Sequence, residues 1–149
     1  RDLHSFPTRR SSDLLVTVLD VLEMDPFDNH AAVLNLTGEQ LKVMMLSYCH
    51  NTVFSFPYVG GITCKIITEK LNPKKIKDIV LFQPDGKRLN MKRTYRVATN
   101  SYIPATSTIP EGSEHELNIQ TTDVIMRYLE KKGTVNYQGV TRQTITPSR

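Results

Sequence analysis

Runs and stripes of apolar residues along this chain assign most of its elements. His30-Ala31-Ala32-Val33-Leu34-Asn35-Leu36 has the length and apolar content of a buried strand. Thr37-Gly38-Glu39-Gln40 follows as a capping box, with Gln40 three residues after Thr37, so a helix begins there. Leu41, Met44, Met45 and Tyr48 recur at i, i+3, i+4 and i+7 on one face, with Lys42 turned outward, which makes the methionines core packing. Residues 51–61, with Asn51, Pro57 and Gly60-Gly61, read as a loop and then a close backbone approach at the head of a strand. In that strand Ile62, Cys64 and Ile66 alternate with Thr63 and Lys65, so Cys64 faces inward as an inert thiol.

Further on, Lys77 to Phe82 is a strand, Pro84-Asp85-Gly86 a hairpin turn and Tyr95 to Thr99 the next strand after Leu89, in sum a β-meander. Residues 100–118 hold prolines, a glycine and many Ser/Thr, and predict a long surface loop. Thr121-Thr122-Asp123 opens a helix with the stripe Val124, Ile125, Tyr128, Leu129, which Gly133 ends behind Lys131-Lys132. Residues 135–145 supply one short closing strand. Periodicity leaves residues 15–24 equally suited to a short helix or an extended lead-in. The expected fold class is α+β: a mostly antiparallel or mixed sheet with two main helices and no internal repeat.

Ahead of the first strand stands Asp25-Pro26-Phe27-Asp28-Asn29. Pro26 fixes its own φ and biases Asp25 towards an extended conformation, while Asp28 and Asn29 can bond their own backbone, so Phe27 falls on a turn. Two readings stay open for it: a hydrophobic plug tucked under the following helix, or an exposed ring available to a ligand.

Composition narrows the classes. A chain of 149 residues, 39% hydrophobic and 23% charged, suits one globular domain with one core. No apolar run approaches the roughly 18 residues of a membrane span. The net charge of +4 would permit nucleic-acid binding, but the basic residues are scattered apart from Lys74-Lys75-Ile76-Lys77 and Lys87-Arg88, which read as solvated strand ends; no nucleic-acid partner is expected. Two cysteines, Cys49 and Cys64, have no metal-ligand spacing and leave the redox compartment open. No G-x-S-x-G, P-loop, G-x-G-x-x-G or Cys-x-x-Cys occurs, and His30, His50 and His115 stand far apart, so no metal site is expected from this chain.

Residues 1–14 are set apart. Ser5 to Leu14 resembles a translated sequencing-library adapter, and with it go three arginines, two aspartates and His4. The native domain is then expected over 15–149, with Leu15 not a natural start and the gene product continuing upstream.

The order of motifs resembles the C-terminal domain of the 5′-nucleotidases over about residues 16–145. Pro26-Phe27-Asp28-Asn29, Leu36-Thr37-Gly38 with its helix, Pro84-Asp85-Gly86-Lys87-Arg88-Leu89 and Thr94-Tyr95-Arg96-Val97-Ala98-Thr99-Asn100-Ser101-Tyr102 are weak singly and specific together. The resemblance implies that the domain holds a nucleotide or nucleoside substrate. A separate N-terminal metallophosphatase domain, on the same or another chain, would hydrolyse the phosphate ester with two divalent metal ions. This chain would bind no cofactor, be inactive alone and work in the periplasm or at the cell exterior. Position by position, Phe27 matches one of two aromatics that sandwich the base, Tyr102 falls where the second stands, and Asn29 matches an amide that contacts the base; no catalytic residue is expected here. Two departures stand out: Thr106-Ser107-Thr108-Ile109 replaces a Gly-Gly-Asp-Gly stretch, and an upstream Asn-Gly-Gly-x-Arg segment is missing. The changed loop keeps an alternative open, a nucleoside-binding or structural module without catalytic role.

Overall fold

The computed structural model describes residues 15–51, 58–72, 75–111 and 113–148. Residues 1–14 and most of the loop expected over 51–61 lie outside the described residues, as does Lys74 of the first basic cluster. The elements run α1 (Val18–Met24), β1 (His30–Thr37), α2 (Gly38–Asn51), β2 (Thr63–Thr68), β3 (Ile76–Phe82), β4 (Thr94–Asn100), α3 (Tyr102–Thr106), β5 (Glu114–Gln120), α4 (Thr121–Lys132) and β6 (Gln143–Pro147). Among the described residues two three-stranded sheets form, ordered β4-β1-β5 and β3-β2-β6, antiparallel except for the parallel pair β2–β6. The α+β class stands, with α2 and α4 as its two main helices.

Local chemistry explains the elements that were expected. The lead-in over 15–24 resolves as a helix because Thr17 and Asp20 cap each other: the Asp20 N–H donates to Thr17 Oγ1 at 3.2 Å and the Thr17 N–H to Asp20 Oδ2 at 2.6 Å. The same device starts α2, where the Gln40 N–H donates to Thr37 Oγ1 at 3.2 Å and the Thr37 N–H to Gln40 Oε1 at 2.8 Å. Gly38 and Glu39, the next helix amides, donate to the carbonyls of Arg93 and Met91. Gly38 is needed there because a Cβ would stand 2.5 Å from the Asn90 carbonyl oxygen. The Leu-Thr-Gly motif thus combines a fully buried Leu36, a cap and a close backbone crossing.

One core lies between the sheets, around α2. Leu34 and Leu36 of β1, Leu41, Met44, Met45 and Cys49 of α2, Cys64 and Ile66 of β2, and Ile79 and Leu81 of β3 form a single buried cluster, closed by Leu89. Cys64 faces inward as its alternation predicts.

Two expectations are corrected. The meander does not form. After the turn at Pro84-Asp85-Gly86, where Gly86 has φ 83°, the returning limb pairs with β3 only through Phe82 and Arg88 and the Leu89 N–H to Leu81 C=O bond. The chain then crosses the start of α2, where Tyr95 Oη accepts from the Asn90 N–H at 3.2 Å, and β4 joins the other sheet beside β1. Nor is 100–118 one long loop: it contains α3 and most of β5, whose partner is β1. The expected stripe on α4 is half-buried at Ile125 and Leu129 but exposed at Val124 and Tyr128.

Candidate functional site

β1 and β4 run antiparallel with Ala31 opposite Asn100, so the residues just before β1 and just after β4 emerge at the same end of the sheet. Phe27 belongs to the first set and Tyr102 to the second. Two bonds lock that end: the His30 N–H donates to Ser101 Oγ at 3.1 Å, and the Ser101 N–H donates to the His30 carbonyl at 2.8 Å. Asn100 then launches α3, its Oδ1 accepting from the Ile103 N–H at 3.2 Å, which makes Tyr102 the first helical residue rather than part of an open loop.

Both rings are presented to solvent. Phe27 is 74% exposed and Tyr102 47% exposed, and this exposure excludes the plug reading of Phe27. Asn29 is half-buried beside them in sequence. The turn around Phe27 bends at Asp28, whose φ of 52° lies in the left-handed region that aspartate tolerates better than most residues. The start of α4 secures that turn. Gln120 Nε2 donates to Asp28 Oδ1, Thr121 Oγ1 donates to Asp25 Oδ2, and the Thr121 N–H donates to the Asn29 carbonyl at 2.9 Å. Sequence reasoning did not single out Ser101, Gln120 or Thr121. Ser101 sits inside a recognised motif and Thr121 at a recognised helix start, but their partners lie far away in sequence.

The altered segment Thr106–Ile109 is docked on α2: the Thr108 N–H donates to Ser47 Oγ at 2.8 Å, and Ile109 packs against the core. Thr108, Ile109 and Pro110 line a concavity of about 450 Å³ together with Thr37, Glu39 and Val43. That concavity adjoins the far end of β1 from His30. A second, of about 320 Å³, lies between Val59 and the Tyr137–Gln143 segment, where the Arg142 guanidinium sits 5.0 Å from the Tyr137 ring centre. Neither is lined by Phe27, Asn29 or Tyr102.

Electrostatics at the aromatic end come from its two aspartates, both held by α4 donors. Elsewhere, burial pushes the Cys64 thiol up, and burial together with the neighbouring Cys64 pushes Cys49 up to about 11. Among the described residues no three His, Cys, Asp or Glu side chains come together in a way that could hold a metal ion, so the side chains described do not fit a metal pair. No helix among them is long and apolar enough to cross a membrane. Exposed flat rings on a short turn and a short helix, with an amide two residues from one of them, suit binding of a planar ligand.

Over 95 residues the chain is 33% identical to the trifunctional nucleotide phosphoesterase protein YfkN of Bacillus subtilis (strain 168), a match taking in 60% of this chain and 6% of that protein. The 5′-nucleotidase precursor of Thermus thermophilus superposes with a TM-score of 0.69 at 22% identity, over 90% of this chain and 28% of that one. The Haemophilus influenzae NAD nucleotidase (NadN) superposes with a TM-score of 0.67 at 15% identity, over 90% and 27%. At these identities the two superpositions establish the shared fold, and this chain spans less than a third of either protein. Residues 5–108 match the family described as 5′-nucleotidase, C-terminal domain, and the chain belongs to that family.

Proposed function

We propose that this chain is the substrate-binding domain of a nucleotide phosphohydrolase, stacking a nucleobase between Phe27 and Tyr102 with Asn29 contacting the base edge. The observation that supports the reading is that both exposed rings belong to segments at the same end of the sheet, which are joined through His30 and Ser101. A base buried between two rings gains roughly 1–3 kcal/mol per stacking partner. Stacking tolerates any base, so the rings would fix where the base lies and Asn29 would discriminate among bases. The phosphate ester would then project away from this domain, towards a metallophosphatase domain on the same or another polypeptide. There, two divalent metal ions would supply the Lewis-acid chemistry. This chain's part is to bind and orient. Residues 15–149 alone are therefore expected to release no phosphate from nucleoside monophosphates. A periplasmic or extracellular setting accords with the relative described as a precursor.

The test is kinetic, in the polypeptide or complex that carries the metallophosphatase domain. Phe27→Ala and Tyr102→Ala should each raise KM by the equivalent of about 1–3 kcal/mol with kcat less affected. A Phe27→Ala protein with unchanged KM and a melting temperature lowered by several degrees would overturn the assignment.

A further inference from the structure

The Phe27 ring is 74% exposed, so side-chain packing does not hold its turn in place; hydrogen bonds from α4 do. Those bonds bracket the ring on both sides. Asp25, two residues before Phe27, accepts from the Thr121 hydroxyl; Asp28, one residue after, accepts from the Gln120 amide; the carbonyl of Asn29, two residues after, accepts from the Thr121 N–H at 2.9 Å. The Thr121 hydroxyl also lies 3.1 Å from the Asn29 carbonyl oxygen, so one side chain reaches both ends of the turn.

The donors are unusual in their use. Gln120 is the N-cap of α4, yet its side chain makes no capping bond to the helix. The two residues that open α4 are instead directed at another segment, ninety and more positions away. Two carboxylates, Asp25 and Asp28, meet the amino-terminal end of a 12-residue helix, where the peptide dipoles favour negative charge. The left-handed Asp28 is thereby fixed by a bond to its own carboxylate.

We propose that Thr121, with Gln120, is the positioning residue of the nucleobase site: it holds the Asp25–Asn29 turn so that Phe27 is preorganised to stack. The proposal rests on the reading of Phe27 as a base-stacking residue. A ring that must be ordered on binding binds more weakly than one already in place, so loosening the turn lowers affinity without removing a single ligand contact.

The test uses this chain with adenosine as the probe, measuring Kd by calorimetry and the backbone order parameter of Phe27 by nitrogen-15 relaxation. Thr121→Val, which keeps the shape and removes the hydroxyl, should lower the Phe27 order parameter and raise Kd about tenfold, the loss expected for a hydrogen bond to a carboxylate. Thr121→Ser, which keeps the hydroxyl, should restore both; a merely structural role for the threonine methyl would instead leave Val like the parent and Ser impaired. Unchanged order and affinity in Thr121→Val, with Phe27→Ala still binding weakly, overturns the positioning role alone. Phe27→Ala binding adenosine as the parent does, or a parent that binds no adenosine, overturns the stacking reading and the proposal with it.

Discussion

His30 and Ser101 hold each other twice, backbone to side chain at 3.1 Å and backbone to backbone at 2.8 Å, and so fasten the start of β1 to the end of β4. Ser101→Ala removes the first bond and leaves the His30 N–H without that acceptor, at a cost of about 1 kcal/mol in stability. The same substitution should weaken nucleoside binding, because Tyr102 is the next residue. Denaturant unfolding and calorimetric titration of the variant check both. Unchanged affinity at reduced stability would separate the joint from the site.

If Phe27 and Tyr102 clamp one base, their contributions are coupled. The second ring lost acts on a base already half unstacked, so a double-mutant cycle of Phe27→Ala and Tyr102→Ala should show an interaction larger than the roughly 0.3–0.5 kcal/mol scatter of independent sites. Tyr102→Phe should be nearly neutral, since the ring face does the stacking. Strict additivity would place the two rings on different ligands or on none.

Gly38→Ala inverts the usual helix propensity. In an open helix the change gains up to about 1 kcal/mol. Here the new methyl meets the Asn90 carbonyl oxygen at 2.5 Å and the Met91 Cα at 2.9 Å, both backbone atoms that cannot swing aside. A net destabilisation of about 1–3 kcal/mol should follow, read as a lower denaturation midpoint with an unchanged slope.

The buried thiol of Cys49 supplies a pH dependence. Its pKa rises from 9.0 to about 11 on folding, so between those values the unfolded chain gives up a proton that the folded one keeps. The unfolded state then binds fewer protons, and stability falls as pH rises through that window. Compared with Cys49→Ala, the parent protein should lose stability between pH 9 and 11, while the difference between the two should be flat below pH 8. Parallel melting curves for the two proteins across the window would remove the thiol from the account.

What could be read beforehand was whatever is settled within a few residues. The capping box at Thr37 and Gln40, the stripe from Leu41 to Met45 and the inward Cys64 are local, and each holds. Partner choice is not local. The turn at Pro84-Asp85-Gly86 was legible, but nothing between Leu89 and Tyr95 shows that β4 will leave its neighbour for β1. β5 was hidden for a related reason: Glu114-His115-Glu116 carries no apolar alternation, and its strand character comes from pairing with β1. For the proposed site, Phe27, Tyr102 and Asn29 come from the family resemblance alone. Ser101 and Thr121 were not, because a small hydroxyl residue has no signature until its distant partner is known.

The wedging of α2 between the two sheets has a consequence for how the molecule opens. Leu34 of β1 and Ile66 of β2 belong to different sheets, yet both pack into one buried cluster with the side chains of α2. Detaching either sheet therefore strips the same helix of its cover and exposes the other sheet's inner face. Native-state hydrogen exchange would then find the slowest amides of β1 and β2 sharing one opening free energy, as a single cooperative unit rather than two separable halves. The turn that carries Phe27 lies outside that cluster, so what holds it is its bonds to Gln120 and Thr121 rather than the packing of the core.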